Sequence, residues 1–245
     1  MINIFIFILG LIIGSFLNVC IYRIPLEQSI NYPPSHCMGC GNRIKWYDLI
    51  PVLSYIILKG KCRFCREKVS MQYPLIELLT GVLFLALYIE YDLSFNFIKY
   101  AILICFLIVI GMIDYCSTDV YFKTTLSSFI AGILFLIYSV YSGGGVLTYI
   151  YGALLGGGLI SLIILLTNGM GWGDAEICAV CGLFLGFKLT VVMLFFSFIF
   201  GAVVGISLIL LKKKSRKDYI PFGPSIAIAA VFTLFMGSKI LMWYL

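Results

Sequence analysis

Runs of about twenty apolar residues recur along this chain with almost no charge inside them. Residues 2–21, 147–167 and 189–211 contain no Asp, Glu, Lys or Arg at all. A helix of that length matches the roughly 30 Å hydrocarbon core of a bilayer at 1.5 Å per residue. In lipid every backbone N–H and C=O must bond internally, so such runs are expected to be helices rather than open strands. The chain is 62% hydrophobic and 11% charged, far more apolar than a soluble domain of 245 residues needs. The expected fold class is all-α, a polytopic helical membrane protein set in the lipid bilayer.

About eight transmembrane helices are expected, at 2–21, 74–89, 97–113, 124–141, 147–167, 175–187, 189–211 and 225–244. The sixth is short for a full crossing, so tilt or burial between neighbours is expected there. The first ends in Ile21-Tyr22-Arg23, an aromatic and a cation where a span meets the interface. No basic stretch precedes it and no small-residue cleavage motif follows, so it reads as a retained helix and not a signal peptide. Three parts follow: a first transmembrane helix at 1–22, a polar loop domain at 23–73, and a larger membrane domain at 74–245.

Lys and Arg set the orientation. Alternate loops place eight cations in 23–73, one at Lys123 and five in 212–217 on one side, against Lys99, Lys188 and Lys239 on the other. The richer side is expected to be cytoplasmic, with both termini outside. The net charge of +6 is thereby explained by membrane topology, and no nucleic-acid partner is expected.

The polar loop carries Cys37-Met38-Gly39-Cys40 and Cys62-Arg63-Phe64-Cys65. Two C-x-x-C knuckles can close a tetrahedral four-cysteine zinc site, each presenting two sulfurs from one tight turn. Two disulfides are the alternative, disfavoured in a reducing cytoplasm. A structural zinc at Cys37, Cys40, Cys62 and Cys65 would supply much of the folding energy of a loop with few apolar residues. A third C-x-x-C, Cys178 to Cys181, falls inside the sixth span, where cysteine acts as a small apolar residue.

Two carboxylates stand at the edges of apolar spans, where an ionisable group is costly and marks a functional site. Asp114 closes the third span. Asp174 ends the glycine-rich turn 169–174, just before the sixth. Both fall on the cytoplasmic side at similar depth. A pair of carboxylates brought together shares a proton, so that one member can activate water and the other protonate a peptide carbonyl. Asp174 is expected to cap the helix that follows it, which favours its anion and makes it the base. Asp114 sits at a helix C-terminus, which disfavours its anion and makes it the proton donor. Solvated interfacial aspartates, or a proton relay in a coupled transporter, are alternatives at this point.

The ordered motifs resemble the type IV prepilin peptidases, membrane leader peptidases with N-methyltransferase activity. Residues 14–25, GSFLNVCIYRIP, are similar to that family's first-span signature. The four cysteines, the stretches 46–55 and 73–78, the G-x-G-D at 171–174 and Pro221-Phe222-Gly223-Pro224 follow in family order. The resemblance implies an aspartic endopeptidase that cuts the basic leader from type IV pilin or pseudopilin precursors, after a glycine, at the cytoplasmic face of the cell membrane. It implies Asp114 and Asp174 as catalytic residues, and methylation of the new N-terminus from S-adenosylmethionine in the part that holds the cysteines. No Rossmann-type glycine loop is present. Asp48 and Glu77 are candidate cofactor-binding residues, with a structural role as the open alternative. An intramembrane aspartic protease for other signal-like sequences is the rival reading within enzymes.

The chain departs from the family pattern in two places. Ser117 and Val120-Tyr121-Phe122 stand where the family usually has Thr and then Ile/Leu-Pro-Asp. Glu176 stands where a lysine is frequent. The second departure is expected to add negative charge beside the aspartates.

Overall fold

The computed structural model describes residues 1–167, 169–211 and 220–244. The basic cluster 212–217 that contributes to the orientation count lies outside the described residues. Nine α-helices are found among the described residues: α1 Ile2–Arg23, α2 Leu53–Ile57, α3 Gln72–Tyr91, α4 Phe95–Ser117, α5 Phe122–Tyr141, α6 Leu147–Thr167, α7 Trp172–Leu185, α8 Phe187–Leu210 and α9 Gly223–Tyr244. A 3-10 turn covers Trp46–Leu49. The described residues hold two isolated β-bridges, His36 with Arg43 and Lys61 with Lys68, and no strand.

Among the described residues seven helices are long and apolar enough to cross a membrane, and the chain is a multi-pass membrane protein. The sixth expected span is the exception. It forms α7, whose 14 residues reach about 21 Å, short of the hydrocarbon core. Ten of those residues are buried, so α7 is surrounded by protein over most of its length. Most of the remaining helices begin about two residues before their apolar runs, whereas α6 keeps the same limits.

The chain forms two compact units, residues 1–97 and 98–245. In the first, α3 packs against α1 backbone to backbone. A Cβ at Gly10 would stand 2.8 Å from the Gly81 Cα, and one at Gly14 would stand 2.8 Å from the Glu77 Cα. Small residues at this spacing let helices approach closely where lipid gives no hydrophobic drive between them. The segment between α1 and α3 carries both cysteine knuckles. Its first turn is tied down by Arg23, 7% exposed, which donates to the carbonyls of Ser29, Ile30 and Pro33 at 2.9, 3.1 and 2.6 Å.

In the second unit α6 and α7 make the same kind of contact. Added Cβ atoms at Gly152 and Gly156 would run into the carbonyl oxygens of Gly182 and Cys178. Helix α5 covers another face of α7, with Gly132 against Leu183 and Phe184 and with the Phe135 and Phe184 rings 5.7 Å apart. Gly186, at φ +78°, turns α7 directly into α8. Apolar side chains such as Leu154, Phe195 and Val203 point outward, as lipid contact requires.

Candidate active site and cysteine centre

Asp114 lies in the last turn of α4 and is 2% exposed. Its Oδ2 accepts the backbone N–H of Gly223 at 2.8 Å. Gly223 opens α9, so the unsatisfied N–H groups of a helix N-terminus face this carboxylate. The sequence expectation weighed only the unfavourable C-terminus of the helix that carries Asp114. The favourable N-terminus of α9 offsets it.

Asp174 occupies the third position of α7 and is also 2% exposed. The expected cap role is corrected in position. Gly171, in extended conformation, is the N-cap, so the helix begins before the carboxylate. From the third position the side chain reaches back, and Oδ2 accepts the Gly171 N–H at 3.3 Å. That is the returning half of a capping box. The first turn is braced from outside by Val120, whose side chain fills the space a Cβ at Gly173 would take. The two buried carboxylates, from α4 and α7, are close enough to act on each other electrostatically. Pairs of carboxylates so placed can divide acid and base roles.

The four knuckle cysteines converge. Their sulfurs lie within 4.8 Å of one another, and the Sγ atoms of Cys37 and Cys65 are 3.6 Å apart. Sulfurs around a tetrahedral zinc with 2.3 Å bonds stand about 3.8 Å apart. The knuckles repeat one geometry. Cys37 N–H bonds the Asn42 carbonyl at 2.9 Å and Cys62 N–H bonds that of Glu67 at 2.8 Å. The residue after each second cysteine, Gly41 or Arg66, takes positive φ. Backbone N–H groups of Cys65 and Phe64 bring the Cys62 thiol down to about 7. Cys65, although the Glu67 backbone favours its thiolate, is pushed up to about 12 by desolvation and the other sulfurs. Four thiolates together need a cation among them, and this set can hold a zinc ion.

Comparison with known proteins draws on the whole chain. Residues 101–206 match the model of the Type IV leader peptidase family, and residues 8–91 match the Bacterial Peptidase A24 N-terminal domain. A protein of Bacillus subtilis (strain 168) named Prepilin leader peptidase/N-methyltransferase is 32% identical over 249 residues, 98% of this chain and 96% of its own length. The protein of that name from Aeromonas hydrophila is 33% identical over 98% of this chain and 92% of its own. The chain belongs to the type IV leader peptidase family. No solved structure matches it. The transporter alternative has no counterpart among these relatives.

Two site residues of this leader peptidase relative look different once their partners are known. Both line a cavity of about 800 Å³ in the first unit, beside Ser15, Asn18, Tyr22 and Tyr73. Asp48 has both oxygens engaged, by Arg63 Nε at 2.8 Å and Nη2 at 2.6 Å. The guanidinium holds the Asp48 carboxyl below the usual carboxylate range. This bidentate pair ties the 3-10 turn to the second knuckle and gives Asp48 a structural role. Glu77, 7% exposed, accepts the Val52 N–H at 2.8 Å. Val52 has φ +62°, a strained conformation for a β-branched residue, and Glu77 holds it there.

The sequence alone leaves two contributors unassigned, and a third takes a different contact from the one expected. Gly223 was visible only as part of a motif, with nothing to say that its N–H meets a side chain 109 positions away. Asn18 sits in the first-span signature. Its Nδ2 donates to the carbonyls of Gly14 at 3.3 Å and Tyr73 at 3.0 Å. Its Oδ1 is buried and has no partner. Glu176 was expected to load charge beside Asp174. Two residues on a helix lie about 200° apart, and the Glu176 carboxylate instead accepts the Thr125 hydroxyl of α5 at 2.6 Å.

Proposed function

We propose that this protein cleaves the basic leader from type IV pilin-like precursors after a glycine, at the cytoplasmic membrane face, with Asp114 and Asp174 as an aspartate dyad. The observation that carries the reading is the pair of carboxylates, both 2% exposed, from two helices and within electrostatic reach. Both carboxylates face a helix N-terminus, but Asp114 receives the shorter N–H bond, 2.8 Å against 3.3 Å. We therefore assign it the base role, the reverse of what its own helix end suggests. Asp114 takes a proton from water as the oxygen attacks the scissile carbonyl. Asp174 gives its proton to the carbonyl oxygen. Collapse of the tetrahedral species breaks the C–N bond, and the amine leaves with a proton from the dyad. Orientation toward the cytoplasm rests on the cation count and on a leader that carries basic residues.

The second activity is methylation of the new N-terminus, with zinc in the cysteine set as a structural ion. S-adenosylmethionine, when bound, supplies an electrophilic methyl group. The cavity of about 800 Å³ fits a ligand of that size. Asn18 fits as a ligand for donor groups: two carbonyls fix its amide nitrogen, so Oδ1 stays an acceptor awaiting an N–H or O–H. Glu77 offers a carboxylate at the same wall. Asp48, committed to Arg63, serves as a strut.

The test uses purified protein in detergent, a synthetic precursor with a basic leader, and isotopically labelled S-adenosylmethionine. Mass spectrometry should show cleavage after the glycine and one labelled methyl on the product. Asp114→Asn and Asp174→Asn should each abolish cleavage. Asn18→Leu should weaken cofactor binding by about tenfold in calorimetry, the effect of one lost hydrogen bond. Cleavage surviving in either aspartate variant would overturn the dyad. Unchanged cofactor affinity in Asn18→Leu would overturn the placement of the cofactor.

A further inference from the structure

The back of α7 carries a polar contact that neither the dyad nor the cysteine centre uses. Asp174 and Glu176 share the first two turns of this helix but point to different sides. Glu176 Oε2 accepts the hydroxyl of Thr125 at 2.6 Å. Thr125 is 3% exposed; its one hydroxyl proton goes to the shorter contact, Glu176, with the Phe122 carbonyl at 3.1 Å as the competing acceptor, and the Ser128 hydroxyl donates to the Thr125 carbonyl at 2.7 Å. The other contacts of α7 with α5 are apolar, Gly132 with Leu183 and Phe184 and the Phe135–Phe184 ring pair. Glycines 169 and 171 before α7 and Gly186 after it leave its ends few torsional restraints.

Apolar packing keeps such a helix in place but is not directional. The 14-residue α7 is held closely by the glycine face of α6, so only small rotations about its own axis are open to it. A rotation of about 20° moves a carboxylate oxygen roughly 6 Å from the axis by about 2 Å. That is more than a catalytic pair tolerates. The α6 packing limits such a turn, and a directional contact on the α5 side fixes it. The Thr125–Glu176 bond is such a contact, two residues from Asp174 and on the opposite side.

We propose that Thr125 and Glu176 form a lock that sets the rotation of α7 and so aims Asp174 at Asp114. They are positioning residues for peptide cleavage and do not touch the substrate. The proposal rests on the dyad reading. It separates Glu176 from any role as a charge that attracts the basic leader, because a lock needs its acceptor oxygen and not its charge.

Thr125→Val keeps the shape and removes the hydroxyl. Steady-state cleavage of the precursor should show kcat lower by about ten- to a hundredfold, with KM within about twofold. Thr125→Ser should restore kcat to within about threefold. Glu176→Gln, which keeps an acceptor oxygen, should stay near the parent, while Glu176→Ala should match Thr125→Val. The double variant Thr125→Val/Glu176→Ala should be no worse than either single. Parent-like kcat in Thr125→Val overturns the proposal. So does multiplication of the two losses in the double variant, or Glu176→Gln as damaged as Glu176→Ala. A rise in KM that vanishes with an uncharged leader overturns it in favour of leader binding. If Thr125→Val does not fold, the Glu176→Gln and Glu176→Ala pair decides by the same criteria. Asp114→Asn and Asp174→Asn run in parallel: residual cleavage there sinks the dyad itself, whereas loss there with parent-like lock variants sinks only the lock.

Discussion

Gly223 gives the dyad its sharpest structural handle. A Cβ at this position would lie 2.5 Å from Asp114 Oδ2 and 3.2 Å from its Cγ. Ordinary contact begins near 3.4 Å, so in Gly223→Ala the carboxylate oxygen must retreat by about 1 Å. The Gly223 N–H bond, 2.8 Å long, is lost with it. A hydrogen bond to a charged group contributes about 1.5–3 kcal/mol, and a misplacement of about 1 Å costs roughly a hundredfold in rate. The two agree, since a hundredfold corresponds to about 2.7 kcal/mol. Position 223 does not have positive φ, so alanine fits the backbone and the variant should fold. The assay is cleavage of a synthetic precursor followed by gel mobility, with kcat about a hundredfold below the parent. Gly111→Ala on the same helix as Asp114 is the control: its Cβ would meet that of Ala227 at 3.4 Å, and its activity should be parental. Gly223→Ala within about threefold of the parent would refute the claim that this N–H positions Asp114. Equal losses in both variants would reduce the effect to general packing.

The other expectations concern the first unit. The protein should contain one zinc per chain by elemental analysis. Its removal with a strong chelator should open residues 24–71 to protease, since zinc binding contributes about 10 kcal/mol or more to folding such sites. Arg63 holds Asp48 below its unfolded value, so this pair stabilises the loop above the unfolded carboxylate pKa, and the contribution disappears as pH falls through the lower folded value. Protease resistance of the loop should fall with it, and Asp48→Asn should remove that acid-dependent step. Arg63 is 41% exposed, which keeps the effect small. Val52→Gly should relieve the strain at φ +62° and raise the melting temperature of the loop, by about 1 kcal/mol of stabilisation. Glu77→Ala should lower it.

The helices were legible because bilayer thickness and backbone bonding leave a long uncharged run one outcome. Residues 147–167 became α6 at the same limits. The 13-residue stretch 175–187 was ambiguous for the same reason: a helix too short to cross can be buried by protein, and only the partners tell. The cysteine spacing predicted convergence, because each knuckle is a local turn. Asp114 and Asp174 stood out as ionisable residues beside apolar spans. What surrounds them did not. The Gly223 N–H, the side to which Glu176 turns and the missing partner of Asn18 Oδ1 depend on residues far apart in sequence and on helix rotation. Of the departures from the family pattern, Val120 packs on Gly173 in the first turn of α7 and Glu176 projects from α7 to Thr125 of α5, contacts invisible in one dimension. Asp48 stays open in sequence for a simple reason: a carboxylate in a basic loop signals a site or an ion pair equally, and the structure shows its pair with Arg63.

The central claim, that Asp114 and Asp174 act as one unit, is tested most directly by single-turnover cleavage in a double-mutant cycle. Asp114→Asn, Asp174→Asn and the double variant should each lose at least about a thousandfold, with the double no slower than the singles, as residues acting together do. A variant that keeps measurable turnover near the parent, or losses that multiply in the double, would contradict a shared dyad.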